Sequence, residues 1–188
     1  MANIVFDTKE FERAMEKFPA FPKEAKQAMR ETLNRAINQV KTGITNEVAV
    51  DYAIKKNQVK KTIGIKRANM GFLQAEATVM DSRIKMGSFK FKYEKNRYRS
   101  PVSVKIKNSG GFKTSTSSPA LFQARNQIYH RTPNDPTFKI GWAFTLSVPQ
   151  MVSNDEVYRR IAEDAHAYVL RRFPEALEYR MLHRLGLK

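Results

Sequence analysis

A single apolar stripe near the start of the chain constrains the fold most. Pro22 can open a helix, because proline is tolerated in the first turn. Apolar residues then recur every three or four positions, which is the spacing of one helical face. The stripe comprises Ala25, Met29, Leu33, Ala36, Ile37, Val40 and Ile44. Polar residues are predicted on the opposite face: Lys26, Arg30, Asn34, Asn38 and Lys41. The rest of the chain must supply the surface that covers the stripe.

Two further helical regions flank this one along the chain. Asp7 with Glu10 is typical of a helix start, and Pro19 ends the run that follows. Near the other end, Asn154 is a predicted N-cap, and Pro174 is expected to interrupt the helix that Asn154 begins. The apolar positions of these helices are Phe11, Met15 and Phe18, then Val157, Ile161, Ala165, Tyr168 and Val169, then Leu177, Met181, Leu182 and Leu185.

The middle of the chain changes to the period-two alternation of half-buried strands. Alternating apolar residues occur at 73–79, 89–93 and 102–106, with lysines between them in the last two segments. A strand is also expected at Ile4–Phe6, and a short helix at Gln58–Thr62 followed by a strand at Ile63–Ile65. Ala120–Ala124 and Gln127–Arg131 are predicted to form a hairpin, and Ile140–Val148 a last strand closed by Pro149.

Two segments contain the residues of turns and loops. Glu94–Pro101 is polar and basic and is predicted to turn. Asn108–Pro119 is rich in Gly and Ser and is predicted to be a mobile loop.

The order of these elements predicts an α+β fold: a mainly antiparallel sheet, with a long N-terminal helix and C-terminal helices packed on it. The 188 residues fit one domain over 1–188. Helices are expected at 8–45, a basic β-rich middle at 63–148, and C-terminal helices at 154–185.

Charge is the unusual feature of the composition. Thirty-four Lys and Arg stand against eighteen Asp and Glu, a formal net charge of +16. Such an excess repels itself in a compact chain, so an acidic partner is expected. Nucleic acid, an anionic membrane surface and an acidic protein patch are the candidates, and solubility alone is the simplest alternative. No stretch approaches the ~20 apolar residues that span a bilayer, so no membrane-spanning segment is expected, and we favour nucleic acid or protein over a membrane as the partner.

The sequence contains none of the motifs that mark a catalytic, metal or cofactor site. It has no cysteine, no H-E-x-x-H pair, no phosphate-binding glycine loop and no G-x-S-x-G turn. His130, His166 and His183 stand apart from one another, and Glu76, Asp81 and Glu94 are scattered among lysines. We therefore expect no enzyme activity, no cofactor and no metal.

The segment from Arg83 to Lys107 carries nine basic residues and one acidic residue, Glu94. It contains the candidate contact residues for DNA or an acidic partner: Lys90, Lys92, Lys95, Arg97, Arg99, Lys105 and Lys107. A basic surface interleaved with Phe and Tyr is typical of proteins that follow a nucleic-acid backbone. The interleaving also follows from strand alternation alone, with aromatics facing the core and lysines facing water. The charge is therefore informative and the aromatic spacing is not.

Several short motifs, in order, resemble the bacteriophage minor tail protein Z family. Arg35-Ala36-Ile37-Asn38 is similar to an Ala-Ile-Asn-Arg element of the family, although it is shifted relative to the family order. Ile84-Lys85-Met86-Gly87 resembles Ile-Lys-Leu-Gly, and Pro119-Ala120-Leu121-Phe122 is similar to Ala-Phe-Ile. The strand ending at Val148-Pro149 resembles one that ends in Val-Pro-Leu, and Arg172-Phe173-Pro174-Glu175-Ala176-Leu177 resembles Arg-Leu-Pro-Lys-Glu-Leu.

This resemblance implies a structural virion protein, assembled in the host cytoplasm, that completes the tail at its head-proximal end and enables head–tail joining. We expect a ring that contacts the tail tube, tail terminator or head–tail connector, with non-specific contact to packaged DNA as a further option. The resemblance also implies no cofactor and no catalytic residues. The alternative function is a free nucleic-acid-binding protein, and a nuclease is third.

Overall fold

The computed structural model describes residues 2–5, 22–80, 83–93, 102–114, 121–131 and 139–187. Within these residues the fold is α+β, as predicted, and every strand pairing is antiparallel. The helix predicted around Phe11, the turn at 94–101, and three of the candidate basic residues (Lys95, Arg97 and Arg99) lie outside the described residues.

Helix α1 spans Pro22–Asp51 and buries the predicted stripe, whose members are at most 1% exposed. Its polar side is not wholly turned to solvent. The Asn34 amide brackets Ala68, donating to its carbonyl at 3.0 Å and accepting from its backbone N–H at 2.8 Å. Lys41 Nζ donates to the Ile63 carbonyl at 3.2 Å. These two side chains therefore attach the residues on either side of the next strand to α1.

The chain after α1 forms helix α2 (Lys56–Lys61) and strand β2 (Ile63–Lys66), close to the predicted bounds. Strand β3 (Glu76–Val79) pairs with β2 on one side and with β1 (Ala2–Val5) on the other. The predicted strand at 73–79 is therefore shorter at its start, and the expected strand at Ile4–Phe6 begins earlier. Ala77 and Val79 are fully buried, so the period-two alternation holds in β3.

Four small sheets replace the single sheet that the sequence suggested. Besides β1–β3–β2, strand β4 (Arg83–Lys85) pairs with β11 (Phe144–Ser147), and β5 (Lys90–Lys92), β6 (Ser103–Lys105) and β7 (Lys113–Thr114) form a third sheet. Strands β8 (Leu121–Ala124), β9 (Gln127–Arg131) and β10 (Ile140–Trp142) form the fourth. The strands have only two to five residues each, so no one of them is long enough to organise a continuous sheet.

The predicted hairpin at β8–β9 is confirmed. Its two turn residues, Arg125 and Asn126, have φ values of 47° and 61°. Positive φ at both central residues is typical of a type I′ turn, whose twist matches that of the flanking strands. The turn pairs Ala124 with Gln127 and Phe122 with Tyr129.

The prediction of one strand at Ile140–Val148 is wrong. The segment divides at Ala143 into β10 and β11, which belong to different sheets. Ala143 is 3% exposed, donates to the Ile128 carbonyl at 3.1 Å and accepts from the Met86 N–H at 2.8 Å. Pro149 does not close a strand but lies in the first turn of helix α3 (Val148–Val152), for which Ser147 is the N-cap.

Helix α4 spans Asp155–Arg184, and the Asn154 side chain accepts from the Glu156 N–H as predicted. The expected interruption at Pro174 is wrong, since the helix runs through it. A proline inside a helix removes one backbone hydrogen bond and crowds the preceding turn. Here Phe173 and Leu177 are buried on either side of it, at 7% and 4% exposure, and their packing holds the helix together.

Helices α1 and α4 lie antiparallel and are joined by ion pairs at both ends. Arg160, near the start of α4, donates to Glu47 and to Asp51 at the end of α1. The hydrogen bond to Glu47 is the main reason why the pKa of Arg160 is raised. At the other end, Arg184 lies 2.8 Å from Glu24. Four acidic side chains of α1 thus form ion pairs with arginines of α4: Glu24, Glu31, Glu47 and Asp51.

The Glu31–Arg180 pair predicts a pH dependence of stability. The hydrogen bond from Arg180, at 3.0 Å, lowers the pKa of Glu31 below its ordinary value of 4.5. A carboxylate with a depressed folded-state pKa adds stability above its unfolded pKa, and this is lost as pH falls through the folded value. The free energy of unfolding is therefore expected to decrease less in Glu31→Gln than in the unchanged protein as the pH falls below about 4.5. Urea titrations of both proteins between pH 3 and 7 measure this, and identical profiles would contradict it.

Candidate functional site

The sheet formed by β5, β6 and β7 carries Lys90, Lys92 and Lys105, with Lys107 shortly after β6, and the end of α1 positions this sheet. Residues Tyr52 to Ile54 follow α1 and run between the strands. The Ala53 N–H donates to the Ile106 carbonyl at 2.8 Å, and the Lys90 N–H donates to the Ala53 carbonyl at 3.1 Å. Phe89, Val102 and Val104 are buried on the inner side. The sheet is therefore fixed to the core by one face, as the alternation predicted.

Asn108 is the second attachment of this sheet to α1. Its side-chain Nδ2 donates to the Ala49 carbonyl at 3.1 Å and the Val50 carbonyl at 2.8 Å, and its backbone N–H donates to the Asp51 carbonyl at 2.8 Å. The last carbonyls of a helix have no partner within it. Asn108 satisfies three of them, so the segment after β6 is a C-terminal cap of α1.

Asn108→Ala is expected to lower the free energy of unfolding by about 1–2 kcal/mol, because two side-chain hydrogen bonds of roughly 0.5–1.5 kcal/mol each are removed and helix carbonyls are left without a partner. Denaturant unfolding monitored by circular dichroism measures this change. Ser109→Ala, at the exposed neighbouring position, is the matched control and should change little. An equal effect of both substitutions would contradict the capping role.

The interpretation of Asn108–Pro119 as a loop needs correction at its centre. Lys113 and Thr114 form β7, which pairs with Val104 and Ser103 of β6. The Ser103 and Thr114 hydroxyl oxygens lie 2.7 Å apart across this pair. The sequence carried no alternation here because β7 has only two residues, and residues 115–119 lie outside the described part of the chain.

We name Lys90, Lys92, Lys105 and Lys107 the lysine face. Lys90 and Lys105 are direct cross-strand partners, so their side chains share one side of the sheet. Lys107 is the next alternate position after Lys105, and Lys90, Lys92 and Lys107 are exposed while Lys105 is half-buried. Like charges directly opposite each other destabilise a sheet. Among the described residues, no acidic side chain forms a salt bridge with any of the four.

Lys92 is held in place by an aromatic ring. Its Nζ lies 4.4 Å from the centroid of the Phe112 ring, which is 38% exposed. A cation over an aromatic face is attracted by about 0.5–1 kcal/mol at an exposed site. The lysine face therefore presents one oriented ammonium and three others on a sheet that is attached to the core, an arrangement that suits an extended anionic surface.

The sequence analysis missed a second surface, on which Trp142 is 38% exposed and Phe122 and Tyr129 are half-buried. Phe122, Tyr129 and Trp142 are aligned across β8, β9 and β10 on one side of the sheet, and we name them the aromatic row. Their ring centroids are 5.8 Å and 4.6 Å apart. The two-residue turn already implied the pairing of Phe122 with Tyr129. The pairing of Trp142 with Tyr129 could not be predicted from the sequence. Several residues separate β9 from β10, and no local pattern fixes the register between these two strands.

The described residues bring no catalytic cluster together. His166 and His183 are exposed on α4, and His130 lies on β9 with a half-buried side chain. No group of three His, Asp or Glu side chains within the described ranges could hold a metal ion. Glu76 lies on β3, while Asp81 and Glu94, the other carboxylates considered for a nuclease site, are outside these ranges.

None of the described helices is both long enough and apolar enough to cross a membrane. Both long helices carry charged residues along their length and ion pairs at both ends. Comparison with known proteins gives no match for this chain among protein-family models, curated proteins or solved structures.

Proposed function

We propose that this chain is a structural protein of a bacteriophage tail, which completes the tail at its head-proximal end as a ring and enables joining to the head. The tail role rests on the colinear sequence motifs that resemble the minor tail protein Z family. The structural observation that supports a partner-binding role is the lysine face. Four lysines on and beside one sheet, with no acidic salt-bridge partner among the described residues, favour an anionic partner over a purely solvated surface.

The partner that we assign to the lysine face is an acidic protein surface of the tail or head–tail connector. Opposed charges on two protein surfaces steer association and fix its register. Relief of the repulsion between Lys90 and Lys105 adds to the binding free energy, because a bound carboxylate neutralises a pair that the free protein keeps together. The free protein is expected to be monomeric or weakly associated, with the tail as the template for the ring.

The test is a tail preparation that lacks this protein. Purified protein is added, and tails are imaged by negative-stain electron microscopy before heads are supplied. We expect a ring of extra density at the head-proximal end and restored joining. Absence of density on tails that remain unable to join would reject the function. A tight, salt-resistant dimer in light scattering of the free protein would reject the template model of assembly.

The lysine face also fits a second function, a free nucleic-acid-binding protein. Lysine side chains neutralise backbone phosphates as well as carboxylates, and the net charge of +16 supports such binding. Titration of the isolated protein with DNA at several salt concentrations separates the two. Strong binding at physiological salt favours this alternative, whereas weak binding that does not depend on sequence favours the tail protein.

A further inference from the structure

The antiparallel helices α1 and α4 border a groove of about 580 Å³. Charged side chains dominate its lining. Glu31 and Arg35 come from α1, and Arg172, Glu175 and Arg180 come from α4. We name the groove that these five residues line the arginine groove. It holds three guanidinium groups against two carboxylates, so one positive charge is in excess.

Both carboxylates of the arginine groove already have partners. Glu31 Oε1 accepts a hydrogen bond from Arg35 at 2.6 Å, and Glu31 Oε2 accepts one from Arg180 at 3.0 Å. Glu175 accepts from Arg172. The hydrogen bond from Arg180 is the main reason why the pKa of Glu31 is lowered, and the charges of Arg35 and Arg172 lower it further. Three cations therefore converge on a carboxylate that cannot neutralise all of them.

The attachment of one helix to the other does not account for all three arginines. Arg180 of α4 reaches α1, where it donates to Glu31. Arg35 and Arg172 instead pair with glutamates of their own helices, four and three residues away. Ion pairs of this kind at the surface contribute little to stability. Two of the three arginines are therefore not needed to hold the helix pair together.

The guanidinium groups have hydrogen-bond donors that the described residues do not use. Each guanidinium carries five N–H donors. Arg35 and Arg172 each use one in a side-chain hydrogen bond, and their side chains are 51% and 35% exposed. The buried Nε of Arg180 has no acceptor among the described residues. The groove therefore has more donors than acceptors, and a ligand with several acceptor oxygens would complement it.

We propose that the arginine groove binds a phosphate group. Arg35 lies on α1 and Arg172 on α4, so a ligand between the helices must offer oxygens to both walls. A tetrahedral phosphate does this, whereas the two oxygens of a carboxylate point to one side. The planar guanidinium matches phosphate oxygens, and the net charge of +16 attracts an anion. The groove shares no residue with the lysine face, and its binding of phosphate does not depend on the proposed tail function.

The test is a titration of the whole chain with inorganic phosphate at constant ionic strength, followed by NMR of the arginine Nε–H signals. We expect saturable shifts at Arg35 and Arg172. Arg171, which is exposed on α4 next to Arg172 but lies outside the groove, should not shift. Similar shifts at Arg171, or the same shifts with chloride alone, would mean that the basic chain attracts anions without a site. Equal binding of acetate would overturn the selection of a phosphate group.

Two variants of equal charge separate the groove from the general field of the protein. Arg172→Gln is expected to weaken phosphate binding by roughly tenfold or more, because a charge-assisted hydrogen bond is lost. Arg171→Gln removes the same charge next to the groove and should leave the affinity unchanged. Arg35→Gln is the second groove variant, on the other helix, and circular dichroism verifies that all three fold. Equal affinities of the Arg171 and Arg172 variants would overturn the proposal.

A parallel titration with a short DNA duplex identifies the source of the phosphate group. Shifts of Arg35 and Arg172 at lower phosphate concentration with DNA than with inorganic phosphate would assign the groove to a nucleic-acid backbone. Shifts with inorganic phosphate alone would assign it to a free phosphate group that fits between the helices. Absence of saturable shifts at both arginines with either ligand would overturn the site.

Discussion

Replacement of the four lysines of the lysine face by glutamine is expected to abolish joining of tails to heads at physiological salt. The four positions are Lys90, Lys92, Lys105 and Lys107. Folding should be nearly intact, since surface substitutions usually change the free energy of unfolding by within about 0.5 kcal/mol each. Removal of the opposed charges at Lys90 and Lys105 even relieves a repulsion in the free sheet. The joining defect would therefore follow from failure to bind the anionic partner.

The measurement is in vitro complementation of tails that lack the protein, with circular dichroism to verify folding. A matched control removes the same charge from exposed lysines elsewhere: Lys23, Lys26, Lys60 and Lys61. The control variant should join heads normally, because net charge alone is not what the partner recognises. Normal joining by the lysine-face variant would leave these four lysines as a solvated face without the role proposed for them.

The same pair of variants distinguishes an acidic protein from DNA as the partner. For every phosphate that a variant no longer neutralises, the slope of log affinity against log salt decreases by roughly 0.9. If the lysine face binds DNA, the slope should decrease more for the lysine-face variant than for the control variant. We expect instead a modest and similar change in both variants, together with a joining defect in only one. A large selective decrease in DNA affinity would favour the free nucleic-acid-binding protein.

Local sequence patterns predicted those parts of the fold that local interactions determine. The apolar stripe of α1, the Asn154 cap of α4 and the hairpin around Arg125 and Asn126 depend on residues within a few positions of one another. The exposure of Lys90 and Lys92 follows from strand alternation in the same way. These features need no knowledge of the rest of the chain.

The features that were wrong or missed depend on contacts distant in sequence. Pro174 stays inside α4 because Phe173 and Leu177 are buried in the core, and no local rule reports that packing. The strand at Ile140–Val148 divides because Ala143 binds β9 on one side and the turn after β4 on the other. The direct opposition of Lys90 and Lys105 likewise required the register between two strands, which alternation does not fix.

The largest effect on stability is expected from Leu33→Ala, at the centre of the α1 stripe. Leu33 is fully buried, as are Met29 and Ile37 one turn to either side, so its removal leaves a cavity between large side chains that cannot collapse into it. Substitutions of this kind cost about 2–5 kcal/mol. At roughly 2–4 °C per kcal/mol for a chain of this length, the Tm should fall by several degrees or more. Val50→Ala, on the same helix but 62% exposed, is the control and should stay within about 0.5 kcal/mol. Urea unfolding of both variants measures the two costs. Equal costs would mean that the stripe of α1 is not the centre of the core, and that the antiparallel pair of α1 and α4 is not the scaffold that holds the lysine face.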